Sequence, residues 1–90
     1  MRKVLIVDDD TIIRITLRSL INWEELGFQI AADAIHGEAA LQYLKNHTVD
    51  LIISDMKMPV LDGIGLLEAV SRFDVMPKVL VLSGYDDFKL

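Results

Sequence analysis

Apolar and polar positions alternate between two rhythms along this chain, and the alternation itself predicts the architecture. Residues 4–7 are continuously apolar, the pattern of a strand covered on both faces. Over 11–22 the rhythm changes to a helical period, with Ile13, Leu17, Leu20 and Ile21 on one stripe. Residues 23–26 read as a connector, and Gly27 supplies the conformational freedom to stop and restart the chain. A second strand, more mixed in character, is predicted over 28–33. A second helix follows over 37–46, with Ala40, Leu41 and Leu44 facing inward. The run "DLIISD" (50–55) is a third strand, and Met58-Pro59 and Asp62-Gly63 punctuate the loop after it. Residues 64–73 form a third helix with Leu67 and Val70 inward and Asp62 as its cap. "KVLVLS" (78–83) is a fourth strand, and a fourth helix begins near Asp86.

The order βαβαβαβ implies right-handed crossovers and a doubly wound α/β fold, a parallel sheet with helices on both faces. In such sheets ligands sit outside the carboxyl ends of the strands. Those ends are where this chain concentrates its acids: Asp8, Asp9 and Asp10 close the first strand and Asp55 the third, while Ser83 closes the fourth. Asp10 and Thr11 are good helix caps, so part of the acidic triplet has an ordinary explanation. Capping does not explain the rest. If the first and third strands are neighbours, Asp8, Asp9 and Asp55 converge on one rim.

Bulk composition narrows the classes. With 90 residues, 52% apolar and 26% charged, the chain fits one small globular domain. A net charge of -5 argues against nucleic-acid binding by this segment, which would call for a basic stripe. There is no cysteine, hence no disulfide and no thiolate metal site. The apolar run after Met1-Arg2-Lys3 is too short for a signal-peptide core and none approaches a membrane span, so a cytoplasmic domain is expected.

Carboxylates crowded within a few ångströms raise one another's pKa and call for a cation. An all-oxygen donor set without His or Cys favours a hard ion such as Mg²⁺. A carboxylate beside that ion can also act as a nucleophile and form an aspartyl phosphate. His36 and His47 lack metal-ligand spacing and read as solvated loop residues. Trp23 reads as a hydrophobic plug, Met56, Met58 and Leu61 as core and turn packing, Pro59 as setting the loop, Gly63 as turn freedom, and Asp86-Asp87 as a cap.

Three segments together, "VLIVDDD", "DLIISDMKMPVLDGIGLL" and "VLVLSGYDDF", resemble the signature segments of bacterial response-regulator receiver domains, in the right order and spacing. "NWEELGF" and "LSGYDDF" further resemble receivers fused to AraC-type helix-turn-helix output domains. The resemblance implies a flavodoxin-like sheet of order 2-1-3-4, with Asp55 as phosphoacceptor and Mg²⁺ held by Asp9, Asp55 and the backbone carbonyl of Lys57. It implies that Asp8 acts through a metal-bound water. Ser83 would be the switch hydroxyl, Gly84 a small position that keeps the site open, and Lys57 and Tyr85 positions that tune hydrolysis of the acyl phosphate. A sensor histidine kinase would be the phosphoryl donor and a DNA-binding domain the output. The chain would be a phosphoacceptor rather than an enzyme, with self-catalysed phosphotransfer at most.

A complete receiver has five βα units, and here the resemblance stops as the fourth helix begins. Residues 1–90 are therefore expected to form an incomplete receiver without the fifth strand, its site lysine, its aromatic switch residue and the last helix. The fourth strand would then be an exposed edge, and self-association through it is expected. Three rivals remain at this level. A haloacid-dehalogenase-type phosphatase would use Asp8 and Asp10, but Ile12 stands where its motif wants Thr or Val, and "SDMKMPVLDG" goes unexplained. A receiver-like interaction module that is never phosphorylated would not need Asp8, Asp9, Asp55 and Ser83 together. A flavin-binding domain would need a Gly- and Ser/Thr-rich phosphate loop after the first strand, which is absent.

Overall fold

A computed structural model describes residues 1–58 and 60–82. The elements run β1 (Arg2–Val7), α1 (Thr11–Leu20), β2 (Phe28–Ala34), α2 (Gly37–Leu44), β3 (Leu51–Asp55), α3 (Gly63–Val70) and β4 (Lys78–Leu82). The strands form one sheet in the order β2-β1-β3-β4, and β1 pairs parallel with both β2 and β3 while β3 pairs parallel with β4. This is the doubly wound order expected from the sequence. The fourth helix expected from Asp86 lies outside the described residues.

Two hydrophobic layers sandwich the sheet because β1 and β3 contribute alternate residues to each. Leu5, Val7 and Ile52 pack with Ala40 of α2 and with Leu66 and Val70 of α3. Val4, Ile6 and Ile53 pack with Trp23, and Leu17, Ile21, Phe28 and Ile30 complete that side. The continuous apolar runs of β1 and β3 are thus accounted for: every residue faces a covered layer.

The mixed pattern of β2 has a specific cause. Val4 pairs with Ile30 but Leu5 pairs with Ala32, so Ala31 is an extra residue, a β-bulge. The bulge exchanges the faces of the strand. Phe28 and Ile30 serve the Trp23 layer, whereas Ala34, and Ala32 beside it, serve the opposite one. Sequence alternation alone would have kept all four on one side.

Helix boundaries are shorter than the periodicity suggests, and some inward faces differ. In α1, Leu17 and Ile21 pack inward, but Leu20 is 79% exposed and Ile13 is also exposed. The helix ends at Leu20, and Ile21 is already extended, which turns the stripe away from Leu20. In α3 the deeply buried pair is Leu66 and Val70, an i, i+4 pair, with Leu67 only half-buried. Asp10 and Asp62 cap their helices as expected, accepting from the Ile12 and Gly65 amides at 2.8 Å each. His36 is not a bare loop residue: its Nδ1 accepts from the Ala39 amide at 3.0 Å and caps α2. His47 stacks on Tyr43, with ring centroids 4.1 Å apart. Trp23 plugs its layer as expected, and its indole N–H donates to the Leu17 carbonyl at 3.0 Å. Gly27 has φ +84°, a left-handed turn that glycine adopts without a steric cost.

Candidate functional site

Strand pairing brings the acids together before any side chain is considered. Val7 of β1 lies opposite Ser54 of β3, so one step further along the parallel pair Asp8 and Asp55 sit side by side. Neighbouring strands are about 4.8 Å apart. One carboxylate oxygen from each of Asp8, Asp9 and Asp55 lies within 4.8 Å of the other two. Asp8 is buried, Asp55 half-buried and Asp9 exposed, so the cluster opens to solvent on one side.

The main chain holds Asp8 on both sides. Its amide donates to the Ala34 carbonyl at 3.0 Å, extending the β1–β2 ladder, and its carboxylate accepts from the Asp10 amide at 2.8 Å. Its carbonyl accepts from the Arg14 guanidinium at 2.6 Å. Burial pushes the Asp8 carboxyl pKa above its ordinary value, and the negative charges of Asp55, Asp9 and Asp10 push it further. The Asp10 amide opposes them by stabilising the ionised form. A divalent cation among the three carboxylates would remove the repulsion, and the all-oxygen donor set with an open side suits a hard ion that keeps its waters.

The connection after β3 is pressed against the site by close backbone packing. Met56 donates its amide to the Leu82 carbonyl at 2.9 Å, and the Gly63 amide donates to the Met56 carbonyl at 3.1 Å. A Cβ on Gly63 would strike the Asp55 carbonyl oxygen and would lie 3.1 Å from the Met56 Cα. Gly63 is therefore required for space, and not for turn freedom, because the start of α3 lies directly on the end of β3. Lys57 lies in this connection, two residues past Asp55, with its side chain exposed. Leu82 pairs with Asp55, so β4 ends level with the cluster. Ser83, Gly84 and Tyr85 follow it and lie outside the described residues.

Arg14 is a site neighbour that pattern reading passed over. The signal was available: Arg14 and Arg18 are an i, i+4 pair of cations on α1 just after the acidic end of β1, and in the fold they reach the Asp8 carbonyl and Asp33. Gly37 was passed over as well; its amide donates to the Leu61 carbonyl at 3.0 Å, and a Cβ there would sit 2.5 Å from that oxygen.

The response regulator receiver domain family matches this chain over residues 4–90. The transcriptional regulatory protein HptR of Staphylococcus aureus is 38% identical over 89 residues, which are 99% of this chain and 34% of that protein. The chain spans about a third of the length of the curated relatives it matches. Among solved structures, the receiver domain of AraT, a response regulator from Geobacillus stearothermophilus, superposes with a TM-score of 0.85 at 38% identity, covering 97% of this chain and 67% of that one. A two-component transcriptional regulator AraC from Clostridium phytofermentans gives 0.87 at 33% identity, with the same coverage.

Proposed function

The chain belongs to the response regulator receiver domain family, and from that premise we propose that Asp55 accepts a phosphoryl group from a phosphohistidine on a sensor kinase. The observation that carries this reading is the placement of an Asp55 oxygen beside Asp8 and Asp9 at the carboxyl edge of a parallel sheet. An Asp55 oxygen attacks phosphorus, and the P–O bond forms as the P–N bond to the donor imidazole breaks. The leaving imidazole keeps the electron pair and takes up a proton from solvent. Mg²⁺, when bound, supplies neutralisation of the charge on the phosphoryl oxygens.

The chain's own residues divide the remaining work. Asp9 and Asp55 would hold the ion through carboxylate oxygens, the Lys57 backbone carbonyl would add a third donor, and Asp8 would act through a water on the ion. The buried end of β1 holds Asp8 still, so the cluster need not reorganise when charge arrives. Ser83 donates its hydroxyl to a phosphoryl oxygen and couples phosphorylation to a change of surface. In the whole protein that surface governs a DNA-binding output, a reading supported by the transcriptional-regulator names of the relatives. The acidic balance of this segment keeps it off the nucleic acid itself.

Intact mass after incubation with Mg²⁺ and acetyl phosphate tests the proposal, beside an Asp55→Asn variant. One added phosphoryl group in the chain and none in the variant is the expected result. A gain that persists in Asp55→Asn would move the nucleophile to another carboxylate, such as Asp8, and overturn the assignment.

A further inference from the structure

The β1–α1 turn carries two of the three clustered carboxylates, yet among the described residues no side-chain hydrogen bond fixes the exposed Asp9. What fixes it is the peptide that precedes it. A peptide unit is planar, so anchoring the Asp8 carbonyl anchors the Asp9 nitrogen and aims its Cα. That anchor is Arg14: one guanidinium nitrogen donates to the Asp8 carbonyl at 2.6 Å, and the other donates to the Thr11 hydroxyl at 3.1 Å. The Arg14 side chain is only 13% exposed. Its Nε lies 3.9 Å from a carboxylate oxygen of Asp33, and Arg18 donates to that same oxygen at 3.2 Å. Asp33 is presented to α1 by the strand beyond the Ala31 bulge. The guanidinium is thus wedged between the end of β1, the start of α1 and the edge of β2.

We propose that Arg14 is a positioning residue whose grip on the Asp8 carbonyl sets the separation of the Asp8 and Asp9 carboxylates for cation binding. The inference rests on the cation-site reading above. It makes a prediction opposite in sign to simple electrostatics. A positive charge near a cation site repels the cation, so deleting it should tighten binding if charge were all that mattered. If Arg14 positions the carboxylates, deleting it weakens binding instead.

Isothermal titration calorimetry of the chain with MgCl₂ separates the two, with circular dichroism of each variant in parallel. Arg14→Gln is expected to weaken Mg²⁺ binding by about tenfold, the usual order for losing a partner that orients a metal ligand. Arg18→Gln removes a neighbouring charge without touching Asp8 and is expected not to weaken it. Arg14→Lys keeps the charge but is one bond shorter and lacks the fork, so a severalfold loss is expected. A folded Arg14→Gln that binds Mg²⁺ as tightly as the unaltered chain, or more tightly, overturns the proposal. Should Arg14→Gln not fold, Arg14→Lys decides: undiminished affinity overturns the inference and a loss sustains it. If the unaltered chain takes up no Mg²⁺, the cation-site reading fails and this inference fails with it, whereas a defect confined to the variants leaves that reading intact.

Discussion

Replacing Asp8 by Asn should make the cation-free fold more stable at neutral pH, although it removes a residue of the candidate site. The oxygens of Asp8, Asp9 and Asp55 lie within 4.8 Å of one another. At that spacing two unit charges repel by about 1 kcal/mol in bulk water and about 3.5 kcal/mol at an effective dielectric of about 20. Asp8 faces two such partners, and the open side of the cluster draws the sum toward the lower figure. The Asn side-chain oxygen still accepts from the Asp10 amide, but a neutral acceptor gives up roughly 1 kcal/mol of that bond. The net gain in unfolding free energy is then about 1–2 kcal/mol, or roughly 5–15 °C in Tm for a domain of this size.

The pH dependence has a definite sign. The folded Asp8 pKa is raised above its ordinary value of 3.8, by burial first and by the neighbouring carboxylates after it. Over the window that begins near the unfolded value and ends at the raised folded value, the native state holds the extra proton. Stability from this group is therefore fully present below 3.8 and is lost as pH rises through that window. Asp8→Asn lacks the slope, so its advantage should be small in acid and complete at pH 7. Thermal melts with a chelator, from acid to neutral pH, measure this directly. A variant no more stable than the unaltered chain at pH 7, or one with the same advantage in acid as at neutrality, would refute the electrostatic account.

Three further outcomes are expected. Gly63→Ala places a methyl against the Asp55 carbonyl and should cost about 1–3 kcal/mol, as overpacking does, with a fall in Mg²⁺ affinity when Asp55 is pushed aside; melts and calorimetry read both. Leu66→Ala opens a cavity under the fully buried face of α3 and should cost about 2–5 kcal/mol in urea unfolding, with little change in the m-value. Trp23→Phe keeps an aromatic plug but removes the indole N–H that donates to the Leu17 carbonyl, and should lower stability by about 1 kcal/mol in the same assay.

The acids of this site were legible because two periodicities intersect there. Apolar runs marked β1 and β3 and put acids at their carboxyl ends, but the adjacency of the two strands came from the order the family resemblance implies, and the β1–β3 pairing bears it out. Packing by contact distance was not legible. Gly63 reads in sequence as a turn residue, and only the backbone crossing at Asp55 reveals that it leaves no room for a Cβ. Leu66 and Leu67 are equally apolar, and the choice between them is made by how α3 lies on the sheet, which puts Leu66 with Val70 against Leu5, Val7 and Ile52. The part of Arg14 depends on the direction of the Asp8 carbonyl, which only the folded backbone fixes.

The bulge at Ala31 makes β2 two half-strands out of phase by one residue. Drawing Ala31 into the ladder as an ordinary paired residue would exchange the faces of everything beyond it, whereas deleting Ala31 would keep them. With Phe28 and Ile30 held, a ladder that includes Ala31 would turn Ala32 and Ala34 toward α1 and carry Asp33 into the layer built on Leu5, Val7 and Ile52. The Asp33 contacts to Arg14 and Arg18 would be lost together. A shift in pairing that changes no residue of the chain would thus bury the Asp33 carboxylate in an apolar layer and break both contacts at once. The residue left out of the ladder is as much a part of the site as the identity of its acids.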